Sequence, residues 1–193
     1  EVLGATLVST DDEEIAECCS ARGFHTDYRR PPHLATDEAP MIDAVLHAVN
    51  WYEMNHSCIV DHVLLLQPTS PLRRIQDITS ALKQYRENNL DSLVGVTPML
   101  EHPFECIEAS EDCFEWSYLK KPSEFVTRRQ DYQGKFGFID GSIYIASVNF
   151  VKQNQNFVLE GKTFPFFIDQ RYSIDIDEPA DLKMAELLLK NFK

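Results

Sequence analysis

The sequence predicts an α/β protein built around a doubly wound, mostly parallel β-sheet. Short apolar segments alternate with amphipathic segments of helical length along much of the chain, which is typical of parallel strands joined by helices. The 193 residues, 44% of them hydrophobic, suffice for one sizeable core. The alternation stops at Pro98, so we expect a single domain over residues 1–193 with an inserted flap at 99–140.

The first half of the chain shows this alternation most clearly. Acidic residues open the first predicted helix, and Gly23 lies near its end. The second helix has apolar residues at helical spacing on one face, namely Ile42, Val45, Leu46 and Val49. The predicted strands here are 4–10, 60–66 and 90–98, and the predicted helices are 11–24, 41–55 and 75–89.

The pattern is less regular beyond Pro98. Residues 99–140 contain short β-like pieces such as 113–119, separated by polar joints. A proline suits the first turn of the closing helix, because its missing N–H has no partner there in any case. The remaining predicted elements are strands at 142–147 and 163–168 and a helix from about Pro179 to Leu189.

Composition excludes several classes of function. The net charge of −13 argues against a nucleic-acid binder, since the few basic residues are not clustered. No apolar run approaches the roughly 18 residues of a membrane span, and no signal peptide opens the chain, so we expect a soluble, cytoplasmic protein. The five cysteines show no C-x-x-C spacing, which argues against a disulfide framework and against a zinc site. An anionic substrate would be held locally by arginines, a metal ion or helix N-termini.

The stretch LLLQPTSPLRR, residues 64–74, places a stiff polar turn directly after an apolar strand. Pro68 and Pro71 prevent the strand from continuing. Ligands of open α/β sheets bind where strands end, so this turn is a candidate wall of a binding site. An ordinary strand-to-helix connection is the alternative.

Two further segments carry possible chemistry. Asp175 and Asp177 alternate with isoleucines, so both carboxylates leave one side of an extended segment and suit Mg²⁺. Alternatively, one of them caps the following helix. The adjacent Arg128 and Arg129 can hold a carboxylate or phosphate, or they form a surface salt bridge.

Together these segments resemble the CMP-sugar-acid synthetases, the cytidylyltransferases that activate sialic acid and related nine-carbon acids such as legionaminic acid. The resemblance extends over nearly the whole chain, in the family's order, and is weakest between residues 99 and 125. The matching segments are VSTDDEEIA (8–16), RRPPHLATDEAP (29–40), LLLQPTSPLR (64–73), RRQD (128–131), DGSIYIA (140–146) and SIDIDEPADL (173–182).

The resemblance implies a Rossmann-like sheet of the nucleotide-diphospho-sugar transferase type and a homodimer formed through the 99–140 flap. It also implies roles for particular residues. The nucleotide, CTP, is expected near Arg30, Asp37 and Ala39. Mg²⁺ is expected on Asp175 and Asp177. The sugar acid is expected near Gln67, Ser70, Arg129 and Tyr144, with Phe166 and Phe167 as an apolar wall for its acyl group.

The implied reaction is attack of the anomeric hydroxyl of the sugar acid on the α-phosphorus of CTP, with release of pyrophosphate. Asp177 is then either a metal ligand or also the general base. Two alternatives remain open at this stage. One is a cytidylyltransferase for the eight-carbon acid Kdo or for pseudaminic acid, and the other is a non-catalytic fragment that binds the nucleotide or the sugar acid.

The sequence departs from the family in two places. Asp140 stands where relatives commonly have Asn, so an acceptor replaces a donor, and we expect it to disfavour an anionic ligand nearby. The family's opening strand and phosphate loop have no counterpart before residues 4–10. We therefore expect that a further segment precedes these residues in the functional protein, and that residues 1–193 alone bind CTP weakly and release no measurable pyrophosphate.

Overall fold

The structure is a computed structural model that describes residues 4–111, 114–121 and 134–191. Within these ranges the helices are α1 (Glu13–Ser20), α2 (Met41–His56), α3 (Ile75–Glu87), α4 (Val148–Asn154) and α5 (Pro179–Asn191). The strands are β1 (His62–Leu65), β2 (Ser92–Pro98), β3 (Ile107–Ala109), β4 (Trp116–Tyr118), β5 (Gly137–Ser147) and β6 (Thr163–Phe167).

Four of these strands form one mixed sheet in the order β1-β5-β2-β6. β1 is antiparallel to β5, with Leu65 opposite Tyr144 and His62 opposite Ser147. β3 and β4 form a separate antiparallel pair. The predicted α/β class is confirmed, while the doubly wound arrangement stays a prediction.

The structure differs from the sequence prediction near the N-terminus. Residues 4–10 were predicted as a strand, but they form no regular element. The segment is held locally, since the Arg30 N–H donates to the Thr10 carbonyl oxygen at 3.0 Å. β-branched residues favour a strand only where a neighbouring strand supplies a ladder of hydrogen bonds, and 4–10 belongs to neither described sheet.

Helix α4 was missed by the sequence analysis because its seven residues are too few to show a helical period. Its ends are nevertheless well defined. The Ser147 hydroxyl oxygen accepts a hydrogen bond from the Phe150 N–H, and Gln155 ends the helix in a left-handed conformation.

The described residues divide into two compact units. Unit 1 draws on Glu1–Leu65, Ile78–Leu93 and Tyr144–Phe164. Its core contains Ala146, Phe150, Val151 and Phe157, against which Ile42, Val45 and Leu46 of α2 pack. Val49 of the same helix is buried, so the predicted apolar face of α2 is confirmed.

Unit 2 draws on Leu66–Asp77, Val94–Ile143 and Pro165–Lys193. It contains the turn after β1, most of β2 and β5, and the segment with the paired aspartates. The single domain with a flap at 99–140 stays a prediction. None of the described helices combines the length and the apolarity that crossing a bilayer requires.

Candidate functional site

The turn that follows β1 is fixed to β5 by an arginine. Arg73 donates from Nε to the Ser142 carbonyl oxygen at 2.5 Å and from Nη2 to the Gln67 carbonyl oxygen at 2.6 Å. The Ser70 N–H also donates to the Gln67 carbonyl oxygen, at 3.4 Å. Because Pro68 and Pro71 fix φ in the same turn, the backbone that carries Gln67 has few other conformations available.

The side chains of Gln67 and Asp175 both lie close to Gly141. This glycine lies within β5 but has φ +73°, a conformation that side-chain-bearing residues rarely adopt. A Cβ at this position would lie 2.8 Å from Gln67 Oε1 and 4.0 Å from Asp175 Oδ2. The predicted sugar-acid residue and the predicted metal ligand therefore lie over the same glycine.

The segment with the paired aspartates has the alternation that the sequence predicts. Asp175 and Asp177 are exposed, while Ile174 and Ile176 are partly buried. The Ile176 N–H donates to the Thr69 carbonyl oxygen at 2.9 Å. The segment is thus hydrogen-bonded to the turn after β1, next to Gln67.

The alternative role of these aspartates, capping of α5, is taken by another residue. Asp181 Oδ2 accepts from the Asp177 N–H at 3.1 Å and from the Glu178 N–H at 2.8 Å. Its position in the first turn lets it reach back to the amides that precede the helix. The carboxylates of Asp175 and Asp177 form no hydrogen bond or ion pair with another residue in the described ranges.

These two carboxylates fit the requirements of Mg²⁺. They are exposed oxygen donors, and Mg²⁺ commonly takes one or two protein carboxylates and completes its octahedron with water and phosphate oxygens. Across 4–111, 114–121 and 134–191, no group of three or more His, Cys, Asp or Glu side chains is arranged to hold a metal. A site here would therefore rely on these two side chains and on the substrate.

Asp140 is part of a buried polar network beside Gly141. Its Oδ1 accepts from the Ser142 N–H at 3.1 Å and from the Ser142 hydroxyl at 2.7 Å. Burial lowers the pKa of the Arg73 guanidinium from its ordinary value, and the charge of Asp140 partly offsets this lowering. One oxygen of Asp140 is thus occupied within the protein, and the carboxylate interacts electrostatically with Arg73.

Two side-chain oxygens in this unit are buried without a hydrogen-bond partner among the described residues, Ser70 Oγ and Asp140 Oδ2. Ser70 is 2% exposed and Asp140 is 5% exposed. Unpartnered buried oxygens are costly, and they are common where a ligand or ordered water supplies the missing bond. Ser70 was predicted as a substrate residue from the sequence, and its position in the turn is compatible with that role.

The predicted acyl wall lies on β6. Phe166 and Phe167 are partly buried. The Lys135 ammonium lies 3.5 Å from the centroid of the Phe167 ring, and a Cβ at Gly137 would lie 3.1 Å from the same ring. Phe167 therefore has a defined position in unit 2, and its contact with a substrate stays a prediction.

The predicted nucleotide residues lie in unit 1. Arg30 donates from Nε to Ser9 Oγ at 3.2 Å and from Nη2 to the Ser9 carbonyl oxygen. Asp37 is exposed, and the Ala39 N–H closes a turn by donating to the Thr36 carbonyl oxygen at 3.0 Å. Arg30 is therefore anchored, and the roles of all three in nucleotide binding stay predictions.

The structure does not test two other predicted substrate residues, Tyr144 and Arg129. Tyr144 packs against the core of unit 1, with its ring centroid 5.6 Å from that of Phe157. Arg129 lies outside the described residues, as does its neighbour Arg128. The substrate role of both Tyr144 and Arg129 stays a prediction.

Sequence reasoning gave no role to Arg73 or Gly141, although both lie in segments that it singled out. Gly141 lies directly before the predicted strand 142–147, whereas the structure begins β5 at Gly137 and so places this glycine inside a strand, where a glycine often marks a bulge or a close approach. Arg73 gave no signal in the sequence, because its acceptors are backbone oxygens that no sequence pattern identifies.

Comparison with known proteins finds relatives of similar sequence. No family model matches the chain. The chain is 31% identical over 185 residues to the post-translational flagellin modification protein B of Campylobacter coli, covering 95% of this chain and 76% of the relative. It is 29% identical over 187 residues to the CMP-N,N'-diacetyllegionaminic acid synthase of Legionella pneumophila, covering 95% and 77% respectively.

The fold is also similar to that of a solved enzyme. That structure is a CMP:2-keto-3-deoxy-manno-octonic acid synthetase complexed with CTP, with a TM-score of 0.65 and 14% sequence identity. The match covers 100% of this chain and 84% of that chain. At this identity the likeness shows the fold alone.

Proposed function

Because the chain belongs to the CMP-sugar-acid synthetase family, we propose that the full-length protein transfers CMP from CTP to the anomeric hydroxyl of a nine-carbon sugar acid. The observation that carries this proposal is that Gln67 Oε1 and Asp175 Oδ2 lie 2.8 and 4.0 Å from where a Cβ on Gly141 would be. A side-chain amide suits the hydroxyl groups of a sugar, and a carboxylate suits the metal that accompanies a nucleoside triphosphate.

The sugar acid is of the sialic or legionaminic type. The turn QPTSPLR resembles that of this branch, and a relative with 29% identity is named for a legionaminic acid. Transfer to Kdo or to pseudaminic acid is the alternative within the same fold.

In the reaction, the anomeric oxygen attacks the α-phosphorus, the bond from that phosphorus to the bridging oxygen breaks, and pyrophosphate leaves. Gln67 and Ser70 bind the sugar acid and orient its hydroxyl, since positioning supplies a large part of the rate in phosphoryl transfer. The family resemblance also implies that Arg129, Tyr144, Phe166 and Phe167 contact the sugar acid. Mg²⁺ on Asp175 and Asp177 supplies positive charge for the reacting phosphates when bound.

The proton of the anomeric hydroxyl needs an acceptor. Asp177 is exposed and its carboxylate accepts no hydrogen bond from the described residues, so it is available either as that base or as a metal ligand. Arg30, Asp37 and Ala39 bind the cytidine or its phosphates. A cytoplasmic location fits the use of CTP.

The test is a substrate panel with the full-length protein. Purified protein is incubated with CTP, Mg²⁺ and one sugar acid at a time, and both pyrophosphate and CMP-sugar are quantified. We expect turnover with sialic or legionaminic acid and little with Kdo or pseudaminic acid. Equilibrium binding of CTP and sugar acid without any product would instead identify a non-catalytic binding protein.

We also propose that the protein forms a homodimer through the segment 99–140. An open pocket here is lined by Phe104, Glu105, Ile107, Trp116 and Tyr118. Trp116 is 57% exposed and the nearby Phe114 is 87% exposed. Contiguous apolar surface of this kind usually marks a protein–protein interface, and a second copy of the chain buries aromatic surface on both partners at once.

Sedimentation of the full-length protein at micromolar concentration should give the mass of a dimer. Replacing both exposed aromatics, Phe114→Ser with Trp116→Ser, should shift the protein to monomer, because aromatic side chains contribute most at interfaces. Phe24→Ser is a matched control, since Phe24 is 52% exposed in unit 1. A wild-type monomer, or a dimer that survives both serines, would contradict the proposal.

A further inference from the structure

Arg73 and Arg74 are adjacent in the sequence, yet they hold different neighbours. We infer that both are positioning residues for the proposed reaction: Arg73 fixes the sugar-acid side of the site, and Arg74 fixes the segment that carries Asp175 and Asp177. This inference rests on the proposed function, and all residues involved belong to unit 2.

Arg73 sets the spacing between Gln67 and Gly141. Its guanidinium spans two backbone oxygens, that of Gln67 at 2.6 Å and that of Ser142 at 2.5 Å. Ser142 follows Gly141 directly, so the bridged groups flank the place where Gln67 Oε1 meets the glycine. Because the guanidinium is planar and rigid, it reaches both acceptors at one separation, which a lysine ammonium cannot reproduce.

Asp140 supports this bridge from the other side of Gly141. It interacts electrostatically with Arg73 and is held by both the N–H and the hydroxyl of Ser142. A buried guanidinium is costly unless an opposite charge lies nearby. One oxygen of the acceptor at position 140 therefore has a local partner in this chain.

Arg74 holds the segment before the paired aspartates. It donates from Nε to Asp77 Oδ2 and from Nη2 to Asp77 Oδ1, each at 2.7 Å. Its guanidinium carbon lies 3.9 Å from the centroid of the Tyr172 ring. Asp77 is buried at the start of α3. The ion pair therefore holds the Arg74 guanidinium in place, and the Tyr172 ring stacks on that guanidinium.

Tyr172 lies shortly before Asp175, and the Ile176 N–H just after it donates to the Thr69 carbonyl oxygen at 2.9 Å. Asp175 is thus held from both sides by the turn 68–74, through a stacked ring on one side and a backbone hydrogen bond on the other. The stacking on Arg74 and this backbone hydrogen bond together restrict the short segment that carries Asp175.

The test compares Arg73→Lys with Arg74→Lys in the full-length protein. For Arg73→Lys we expect the KM and the dissociation constant for the sugar acid to rise about tenfold, since a charged hydrogen bond is lost. The KM for CTP and the Mg²⁺ dependence should stay unchanged. For Arg74→Lys we expect sugar-acid affinity to stay unchanged and metal affinity to fall. The Mg²⁺ concentration for half-maximal rate should rise, and Mn²⁺ binding in the presence of CTP, measured by electron paramagnetic resonance, should weaken.

Two further variants distinguish a positioning role from a general loss of structure. Tyr172→Leu should reproduce the Mn²⁺ effect of Arg74→Lys, because it removes the stacked ring and leaves the Arg74–Asp77 pair in place. Arg29→Lys is the control for a lost bidentate pair, since Arg29 is paired with Glu13 in unit 1. It should change neither sugar-acid affinity nor Mn²⁺ affinity.

The inference is overturned if both lysine variants lose turnover uniformly, with unchanged affinities and a matching loss of melting temperature. The inference is also overturned if the two variants weaken the binding of the same ligand. Binding of the sugar acid and of Mn²⁺ is measured without turnover. A wild-type protein that binds both ligands but makes no product would therefore refute the proposed reaction, and the lysine variants would still test the positioning roles. A wild-type protein that binds neither overturns both.

Discussion

Replacing Asp177 with Asn in the full-length protein is expected to lower CMP transfer about a hundredfold or more, as loss of a group that stabilises the transition-state charge typically does. Asn keeps the shape of the side chain but removes its charge, and with it either a magnesium ligand or the base for the anomeric hydroxyl. The carboxylate is exposed and has no partner among the described residues. Stability should therefore change by about 0.5 kcal/mol at most, as is usual for surface positions.

Asp175→Asn should have a similar effect, and the double variant should be little worse than either single one. Residues that serve one ion are strongly non-additive, because the first substitution already weakens the shared site. Initial rates at several Mg²⁺ concentrations separate the two possible roles of Asp177. A metal ligand is partly rescued by excess Mg²⁺, whereas a base is not.

Asp61→Asn is the matched control for both variants. Asp61 is also an exposed aspartate, directly before β1 in unit 1, and its loss should leave turnover unchanged. Near-normal turnover in Asp177→Asn would show that the paired acids are not part of the reaction. Because Asp181 caps α5, a fall in activity cannot be attributed to loss of the helix cap.

The parts of the fold that the sequence predicted correctly depend on local patterns. The apolar face of α2 is a helical repeat over sixteen residues, and the exposure of Asp175 and Asp177 follows from simple alternation along an extended segment. β2 was predicted within the segment 90–98 from the alternation of short apolar and helical segments, and six of its seven residues are buried. In each case neighbouring residues alone carry the information.

The parts that the sequence could not predict depend on distant partners. Residues 4–10 have strand-like composition but lie in neither described sheet. The antiparallel pairing of Leu65 with Tyr144 joins segments that are far apart in the chain, and no local pattern specifies its register. The contact between Gln67 and Gly141 was found only in the structure for the same reason.

The resemblance to a family identified the segments of the candidate site, but the physical arrangement within it needed coordinates. Gln67 and Asp175 were assigned to different ligands from the sequence, and the structure brings both to Gly141. Asp140 was expected to disfavour an anionic ligand, which stays a prediction, and the structure adds that one of its oxygens accepts from Ser142 and that it interacts electrostatically with Arg73. A side chain's charge can be read from a sequence, but the partner that balances it cannot.

Gly141→Ala is expected to raise the KM for the sugar acid at least tenfold, about the effect of losing one good hydrogen bond to a ligand, and also to destabilise the protein. The stability loss comes from φ +73°, a conformation that costs a Cβ-bearing residue about 1–2 kcal/mol. The loss of affinity comes from the Cβ itself, which would lie 2.8 Å from Gln67 Oε1 and so displace the amide that is proposed to bind the sugar.

The chain contains a closely matched control for this variant. Gly161 has φ +74°, and a Cβ there meets nothing within 4 Å. Gly161→Ala should therefore lower the melting temperature by a similar amount, about 2–8 °C for a protein of this size, without changing the KM for the sugar acid. Thermal denaturation and initial-rate kinetics on both variants separate the backbone strain from the effect of the side-chain clash.

A double-mutant cycle then assigns the clash to Gln67. Gln67→Ala alone should also raise the KM for the sugar acid, because it removes the amide. Adding Gly141→Ala to Gln67→Ala should change the KM little further, since the side chain that the new Cβ displaces is already gone, while the strain of the positive φ still lowers the melting temperature. Additive effects of the two substitutions on KM would show that Gly141 acts on the sugar acid independently of Gln67, and an unchanged KM in Gly141→Ala would remove Gln67 from the proposed site.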